Sequence, residues 1–214
     1  MEVKKHSKQV VTDGIPLASA EKVMILVHGR GASADSILTL KDHLLVDGFA
    51  LLAPQATNHT WYPYSFMAPV EQNEPWLSSA IELLENLVED CLKAGIKREH
   101  IHLLGFSQGA CLTLEFAART ASRYGSVTAF TGGLIGEKID RSNYKGQFEG
   151  TPVFIGCSDR DMHVPVERVY ASTNILTEMG ARVTEKIYPG MGHTINEDEI
   201  NIVNQLLNGS GKDK

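Results

Sequence analysis

The sequence predicts an α/β protein with a mostly parallel sheet that is flanked by helices on both faces. Short β-type runs alternate with longer helical patterns, an order typical of parallel strands joined by right-handed crossovers. Several strand runs are apolar without alternation, as expected for strands covered on both faces. No Pro/Ser-rich linker interrupts the order, so we expect a single domain over residues 1–208, a flexible tail over residues 209–214 and no large lid domain.

Six runs are predicted to be strands of this sheet: Val23–Val27, Phe49–Ala53, Ile101–Phe106, Val127–Phe130, Val153–Cys157 and Val183–Tyr188. A further run, Val10–Val11, precedes Asp13-Gly14 and is expected to add a hairpin edge strand. Sites in such sheets collect in the loops at the carboxyl ends of the strands. We therefore look for chemistry in those loops.

Four helices are predicted between and after these strands. The first carries an apolar stripe from Leu77 to Cys91, and the second runs from Gln108 to about Arg123. The third begins near Val166 and stops near Gly180. Asn196 is expected to cap the last helix.

Composition excludes several classes of function. The 214-residue chain carries 20 Lys plus Arg against 26 Asp plus Glu, a net charge of −6, and shows no basic cluster. Nucleic acid and anionic membrane surfaces are therefore not expected as partners, because both attract clustered cations. No apolar run approaches the roughly 18 residues that a membrane span needs.

The three cysteines, Cys91, Cys111 and Cys157, contain no C-x-x-C pair, so we expect small buried residues in a reducing compartment. The charged N-terminus lacks the apolar region of a secretory signal. We therefore expect a cytoplasmic protein.

The segment Gly105-Phe106-Ser107-Gln108-Gly109 has the pattern G-x-S-x-G between a predicted strand and a predicted helix. A sharp strand-to-helix turn exposes the serine hydroxyl in a strained backbone conformation. Glycine on either side removes side chains that would collide, and the helix N-terminus leaves free N–H groups for developing negative charge. Ser107 is therefore a candidate nucleophile.

A serine nucleophile needs a base and an acid that orients it, in the chain order Ser, Asp/Glu, His for this kind of fold. Only His163 and His193 follow Ser107, and His193 ends a tight Pro/Gly loop after the last predicted strand. Asp159 and Asp161 both compete for the role of the acid. Together with His163 they could form a metal cluster, but one short loop is a weak signal for a metal site.

The first buried strand ends in His28-Gly29-Arg30-Gly31. A backbone N–H of this loop could supply a second donor to an oxyanion. His28 precedes the serine and is followed by a glycine turn, so we interpret it as structural.

These motifs together resemble the α/β-hydrolase superfamily, and within it the phospholipase/carboxylesterase family, which includes acyl-protein thioesterases and small bacterial carboxylesterases. The resemblance also rests on Val164-Pro165 and on Thr131-Gly132-Gly133-Leu134, and it covers nearly the whole chain. It implies Ser107 as nucleophile, His193 as base and Asp161 as acid. It places the oxyanion donors on the N–H groups of Arg30 and Gln108 and implies neither a cofactor nor a metal. The family usually has Pro after this aspartate, where this chain has Met162-His163.

The substrate side is expected in the aromatic-rich segment 57–69, where the family carries a Trp or an aromatic pair. We expect Trp61 and Tyr62 to face the substrate, with Leu134 and Met162 lining the rest of an apolar pocket. With little room for a lid, a short-to-medium acyl ester fits better than a bulk lipid.

The predicted function is hydrolysis of such carboxylic esters through an acyl-enzyme, with a small-molecule ester or thioester as partner. Acyl-thioesterase or lysophospholipase activity is the first alternative, and a non-catalytic receptor with a hydrolase fold is another. A peptidase or dienelactone-type hydrolase is also considered, although the latter would be expected to have Cys at position 107. A homodimer and the role of His163 are left open.

Overall fold

The computed structural model describes residues 6–209 of the chain. These residues form a seven-stranded sheet in the order β1-β3-β2-β4-β5-β6-β7, in which β1 pairs antiparallel with β3 and all other pairs are parallel. The strands are β1 (Val10–Gly14), β2 (Lys22–Val27), β3 (Phe49–Pro54), β4 (Ile101–Phe106), β5 (Ser126–Phe130), β6 (Pro152–Ser158) and β7 (Arg182–Tyr188). The α-helices are α1 (Ala34–Leu38), α2 (Val70–Asn73), α3 (Trp76–Lys93), α4 (Gln108–Arg119), α5 (Val166–Glu178) and α6 (Glu197–Gly209).

Two apolar layers cover the sheet. Helices α3, α4 and α5 contribute Leu84, Phe116 and Val169 to one buried cluster. Helices α1 and α6 contribute Ile37 and Val203 to the other. Burial of strands on both faces explains why their sequences are apolar without alternation, and the predicted α/β architecture is confirmed.

The edge strand differs from its prediction. Val10–Gly14 forms an edge strand, but it pairs with β3 rather than forming a hairpin with the next strand. At Gly14 the backbone has a φ of +73°, and an added Cβ would lie 2.2 Å from the carbonyl oxygen of Phe49. The glycine therefore allows a close approach to β3 instead of a tight turn into β2.

Helix boundaries depart from prediction where polar groups end or begin a helix. Helix α4 ends at Arg119, not near Arg123, because Thr120 closes it with both its N–H and its hydroxyl on the carbonyl of Phe116. Helix α1, which the sequence analysis missed, starts at a capping box made by Ser33 and Ser36. Gly209, expected in the flexible tail, lies in α6, and the rest of the expected tail lies outside the described residues.

The parallel order places the carboxyl ends of β2, β4, β6 and β7 at one edge of the sheet. The loops that follow these strands carry Arg30, Ser107, Asp161 and His193. Across residues 6–209, none of the helices combines the length and the apolar character needed to cross a bilayer.

Candidate active site

Ser107 occupies the turn between β4 and α4 in a conformation that side chains rarely adopt. Its φ is +55° and its ψ is −119°. Positive φ is costly for a residue with a Cβ and persists only where the surroundings enforce it. Here the N–H of Ser107 donates to the carbonyl of Phe130 on β5 at 2.9 Å, and the N–H of Cys111 donates to the carbonyl of Ser107. The adjacent strand and the helix thus hold the serine in place.

The two glycines of the motif allow α4 to pack backbone to backbone against the sheet. A Cβ added at Gly105 would lie 2.3 Å from the carbonyl oxygen of Gly109. One added at Gly109 would lie 2.1 Å from the carbonyl oxygen of Val27 on β2. Neither position has room for a methyl group, which is the physical reason for glycine at this spacing.

The structure brings Ser107, His193 and Asp161 into one hydrogen-bonded series. The Oγ of Ser107 lies 2.8 Å from His193 Nε2, and His193 Nδ1 lies 2.7 Å from Asp161 Oδ2. An ionised carboxylate only accepts hydrogen bonds, so the Nδ1 proton of the imidazole belongs on the Asp161 side. Nε2 is then left with a lone pair directed at the serine hydroxyl.

The Asp161 side chain is fully buried, and its other oxygen anchors the following turn. Oδ1 accepts the N–H groups of His163 at 2.7 Å and Val164 at 2.9 Å. Burial opposes ionisation of Asp161, but these N–H groups and His193 outweigh it, and the pKa of the carboxyl is held below its usual value. Asp161 is thus an anion that orients the imidazole.

The competing aspartate has a different position. Asp159 is exposed, and its Oδ1 accepts the N–H of Gly190 at 2.8 Å. The hydroxyl of Ser158 accepts the N–H of Gly192 at 3.2 Å. These two side chains hold the loop that leads to His193, and Asp159 does not touch the imidazole.

A buried carboxyl supports the same loop from behind. Glu199 is 0% exposed, and its Oε2 accepts the N–H of Asn196, while its own N–H donates to the Asn196 side chain. The Asn196 amide in turn donates to the sulfur of Met191, two residues before His193. Within residues 6–209, Glu199 Oε1 has no hydrogen-bond partner, and it packs against the bare backbone of Gly156.

This burial makes the stability of the protein depend on pH. Burial raises the pKa of Glu199 to about 7, against the opposing N–H of Asn196. The folded state therefore binds this proton more tightly than the unfolded state, so the contribution to stability is present at acidic pH and is lost as pH rises towards 7. From pH 5 to pH 8 we expect the free energy of unfolding of wild type to fall by about 2–3 kcal/mol relative to Glu199→Gln.

Urea denaturation at pH 5, 6, 7 and 8 measures this difference. Glu197→Gln, at an exposed carboxyl in the first turn of the same helix, is the matched control and should follow wild type. If the free energy of unfolding changed with pH in the same way for wild type and Glu199→Gln, Glu199 would not titrate in this range.

Arg30 and Gln108, which the resemblance implies as oxyanion donors, lie in the loops around Ser107. Gln108 is the first residue of α4, so its N–H lies outside the hydrogen-bond ladder of the helix. Arg30 follows Gly29 in the loop after β2, and both Arg30 and Gln108 line the cleft at Ser107. Neither N–H has an acceptor within the part of the chain that the structure describes.

The cleft beside Ser107 has a volume of about 500 Å³. This volume lies within the usual range of small-molecule sites. Its wall is largely aromatic or apolar and includes Tyr62, Tyr64, Phe66, Phe106, Cys111 and Val164.

The side chains of Arg30 and Gln108, in the loops after β2 and β4, hold one wall of this cleft, a role that the sequence analysis missed. The Arg30 guanidinium donates to the three carbonyl oxygens of residues 62–64 at 2.7–3.0 Å. The Gln108 amide donates to the Tyr62 carbonyl at 2.8 Å, and its oxygen accepts the Trp61 N–H at 2.9 Å. The wall is therefore tied directly to the turn that carries Ser107.

Three of the four expected substrate-binding side chains do not line the cleft. Trp61 is 0% exposed and lies in the core, where its indole N–H donates to the carbonyl of His28. Leu134 is also 0% exposed, in a loop held by Ser172. Met162 is 89% exposed and lies outside the cleft, because the turn anchored on Asp161 directs His163 rather than Met162 to the His193 ring. Tyr62 borders the cleft, but it is only 1% exposed and its side chain packs in the same core cluster as Trp61.

His163 is the residue that this turn presents instead. It lines the cleft beside His193, with ring centroids 4.9 Å apart and ring planes at 77°.

His28 is fully buried and bonds to Gly29 and Ala56, as a structural residue does. Residues 6–209 contain no group of three or more His, Cys, Asp or Glu side chains arranged to hold a metal ion.

The sheet order, the strained serine turn and the loops gathered at one sheet edge define an α/β-hydrolase. The family model for phospholipases and carboxylesterases matches residues 11–210. The chain therefore belongs to the phospholipase/carboxylesterase family.

Individual relatives agree with this membership. The chain is 51% identical to a phospholipase/carboxylesterase of Dyadobacter fermentans, whose crystal structure superposes with a TM-score of 0.94 over 96% of this chain and 98% of that one. It is 32% identical to acyl-protein thioesterase 1 of Gibberella zeae over 57% of this chain, and 25% identical to a probable carboxylesterase, SOBER1-like, of Arabidopsis thaliana over 64%. The matched segments span about half the length of these two proteins, 53% and 52%.

Proposed function

We propose that this protein hydrolyses carboxylic esters of short to medium acyl chains through an acyl-enzyme on Ser107. The observation that carries the proposal is the series Ser107 Oγ, His193 Nε2 and Nδ1, and Asp161 Oδ2, joined at 2.8 and 2.7 Å. These distances lie within the range over which a positioned base removes a proton from a nucleophile.

In the first half of the reaction, Ser107 Oγ attacks the acyl carbon and its proton passes to His193 Nε2. Asp161 stabilises the imidazolium that forms and keeps Nδ1 protonated throughout. The N–H groups of Arg30 and Gln108 donate to the oxygen that becomes negatively charged in the tetrahedral intermediate. His193 then gives its proton to the leaving oxygen, and the alcohol departs.

In the second half, water attacks the acyl group on Ser107 and transfers a proton to His193. The tetrahedral intermediate collapses, the acid is released, and the proton returns to Ser107 Oγ. Every proton transfer in this cycle uses Nε2, so no cofactor or metal is required.

The cleft supports the proposed substrate size. Its volume of about 500 Å³ and its Tyr62, Tyr64 and Phe66 wall suit an apolar group of moderate length. Thioesters are the second candidate substrate, because one relative is named an acyl-protein thioesterase and the same acyl-enzyme chemistry cleaves both bonds. The proposal also includes a single-domain protein that acts on a small-molecule substrate in the cytoplasm.

A panel of p-nitrophenyl esters from acetate to palmitate, assayed beside acyl-thioesters of the same chain lengths, tests this function. We expect kcat/KM to be highest for the short to medium esters and to fall towards palmitate. Higher values for the thioesters would assign thioesterase activity instead. A folded protein that cleaves neither series would be a binding protein with a hydrolase fold.

A further inference from the structure

The candidate active site contains an imidazole that the proposed mechanism does not use. His163 is exposed, lines the cleft and meets the ring of His193 edge to face at 4.9 Å. Its ring nitrogens have no hydrogen-bond partner within residues 6–209, whereas His193 uses both of its nitrogens. An imidazole with unused nitrogens at a cleft wall is free to bond to a ligand.

The position of His163 is fixed by the group that orients the base. Asp161 accepts the His163 N–H through Oδ1 and the His193 ring through Oδ2, both at 2.7 Å. One buried carboxylate therefore holds the backbone of His163 and the ring of His193. This fixed placement lowers the ordering cost of a contact between His163 and a substrate.

In the proposed mechanism, the leaving group of an ester departs beside His193. His193 Nε2 delivers the proton to the leaving oxygen, so the alcohol part of the substrate lies next to His193 at that step. His163 packs against the same ring. A group attached to the alcohol is therefore within reach of the His163 nitrogens, whereas the acyl group extends from Ser107.

The charged side chains that line the cleft indicate what kind of group on the alcohol part of the substrate would bind to His163. The cleft lining includes the basic side chains of Arg30 and His163 and no Asp or Glu, while the Asp161 carboxylate lies behind the lining and is bonded to His193. This contrasts with the whole chain, whose net charge is −6. A cleft with basic groups and no lining carboxylate in an acidic protein favours an anion over a cation or a second apolar group.

We infer that His163 is a specificity-determining residue that binds an anionic group, a carboxylate or a phosphate, on the alcohol or thiol part of the substrate. The inference rests on the proposed function, because it assumes that the alcohol leaves beside His193. Imidazole donates a hydrogen bond in its neutral form and adds a charge when protonated, so it recognises an anion in both states.

Matched esters and variants test this inference. The anionic ester is 4-carboxyphenyl butyrate, its neutral partner is the methyl ester of that carboxylate, and the phosphonomethyl analogue separates phosphate from carboxylate recognition. His163→Phe keeps a ring against His193 but removes the donor, and His163→Arg restores a donor with a charge. His43→Gln, at an exposed histidine outside the cleft, is the control.

In His163→Phe, the preference for the anionic over the neutral ester should fall about tenfold in kcat/KM, as expected for the loss of one hydrogen bond to a charged group. The measured quantity is the ratio of kcat/KM for the two esters, so any loss that both esters share through the packing of residue 163 on His193 cancels. His163→Arg and His43→Gln should keep the preference. Monophenyl succinate, with its carboxylate on the acyl side, should show no such change.

Calorimetric binding of the alcohol product, 4-hydroxybenzoate, supplies a readout that does not need turnover. His163→Phe should bind it about tenfold more weakly and should bind methyl 4-hydroxybenzoate unchanged. Equal loss for both esters and both ligands would overturn the inference and leave His163 a packing residue. Weaker binding of the carboxylate by His163→Phe in a protein that cleaves no ester would retain the anion site and reject the proposed function.

Discussion

Replacing Ser107 with alanine should lower kcat for the preferred ester by roughly 10⁴-fold or more, because the proposed acyl-enzyme forms on the Ser107 hydroxyl. The fold should persist. The turn is held by the main-chain bonds of residue 107 to Phe130 and Cys111, and those bonds do not involve the hydroxyl. Steady-state kinetics and a thermal melt of the purified variant measure both expectations.

A fluorophosphonate probe gives a direct test of the same residue. Wild type should gain one adduct by intact mass, and Ser107→Ala should gain none. Ser78→Ala, at an exposed serine on α3, should label and turn over as wild type does. An adduct on Ser107→Ala would assign the nucleophile to another side chain.

Asp161→Asn should lower kcat by about 10³–10⁴-fold, whereas Asp159→Asn should cost less than about tenfold. The amide oxygen at position 161 can still accept the N–H groups of His163 and Val164, so the turn is retained. Its NH₂ group, however, would face His193 Nδ1 and favour the tautomer whose proton is on Nε2. That tautomer cannot accept the proton of Ser107.

The comparison of the two variants measures orientation separately from charge. Both lose one carboxylate from the same loop, but only Asp161 contacts the imidazole, since Asp159 bonds to the backbone of Gly190. Equal losses in kcat would show that the charge of the loop is what counts. A larger loss in Asp159→Asn would assign the acid to Asp159.

The sequence was sufficient for those parts of the site that depend on backbone order. Ser107 lies between a strand and a helix, and His193 follows the last strand, so the parallel sheet brings them to one edge. Spacing alone could not choose between Asp159 and Asp161, because both lie in one short loop. The resemblance favoured Asp161, and the structure places this side chain on the imidazole.

The cleft wall was harder to predict because it depends on side-chain direction. Trp61 and Tyr62 are adjacent in an aromatic segment and both side chains are buried in the core, where Trp61 bonds to the His28 carbonyl; of the two, only Tyr62 borders the cleft. Met162 was expected to line the cleft, but His163 lines it instead. The turn held by Asp161 sets which of these two residues faces His193. In an irregular loop, the sequence has no hydrophobic periodicity that would predict which of two adjacent side chains faces the cleft.

The backbone contact between α4 and β2 bears on how mutational tolerance should be interpreted. Gly105 and Gly109 touch carbonyl groups so closely that any larger residue displaces α4, which begins directly after Ser107. In a saturation library selected for hydrolysis, these glycines would be as intolerant as Ser107 itself, although neither contributes a group to the chemistry. Selecting the same library separately for folded protein would distinguish the two kinds of position. Replacements of Ser107 would survive that selection, whereas replacements of the glycines would not.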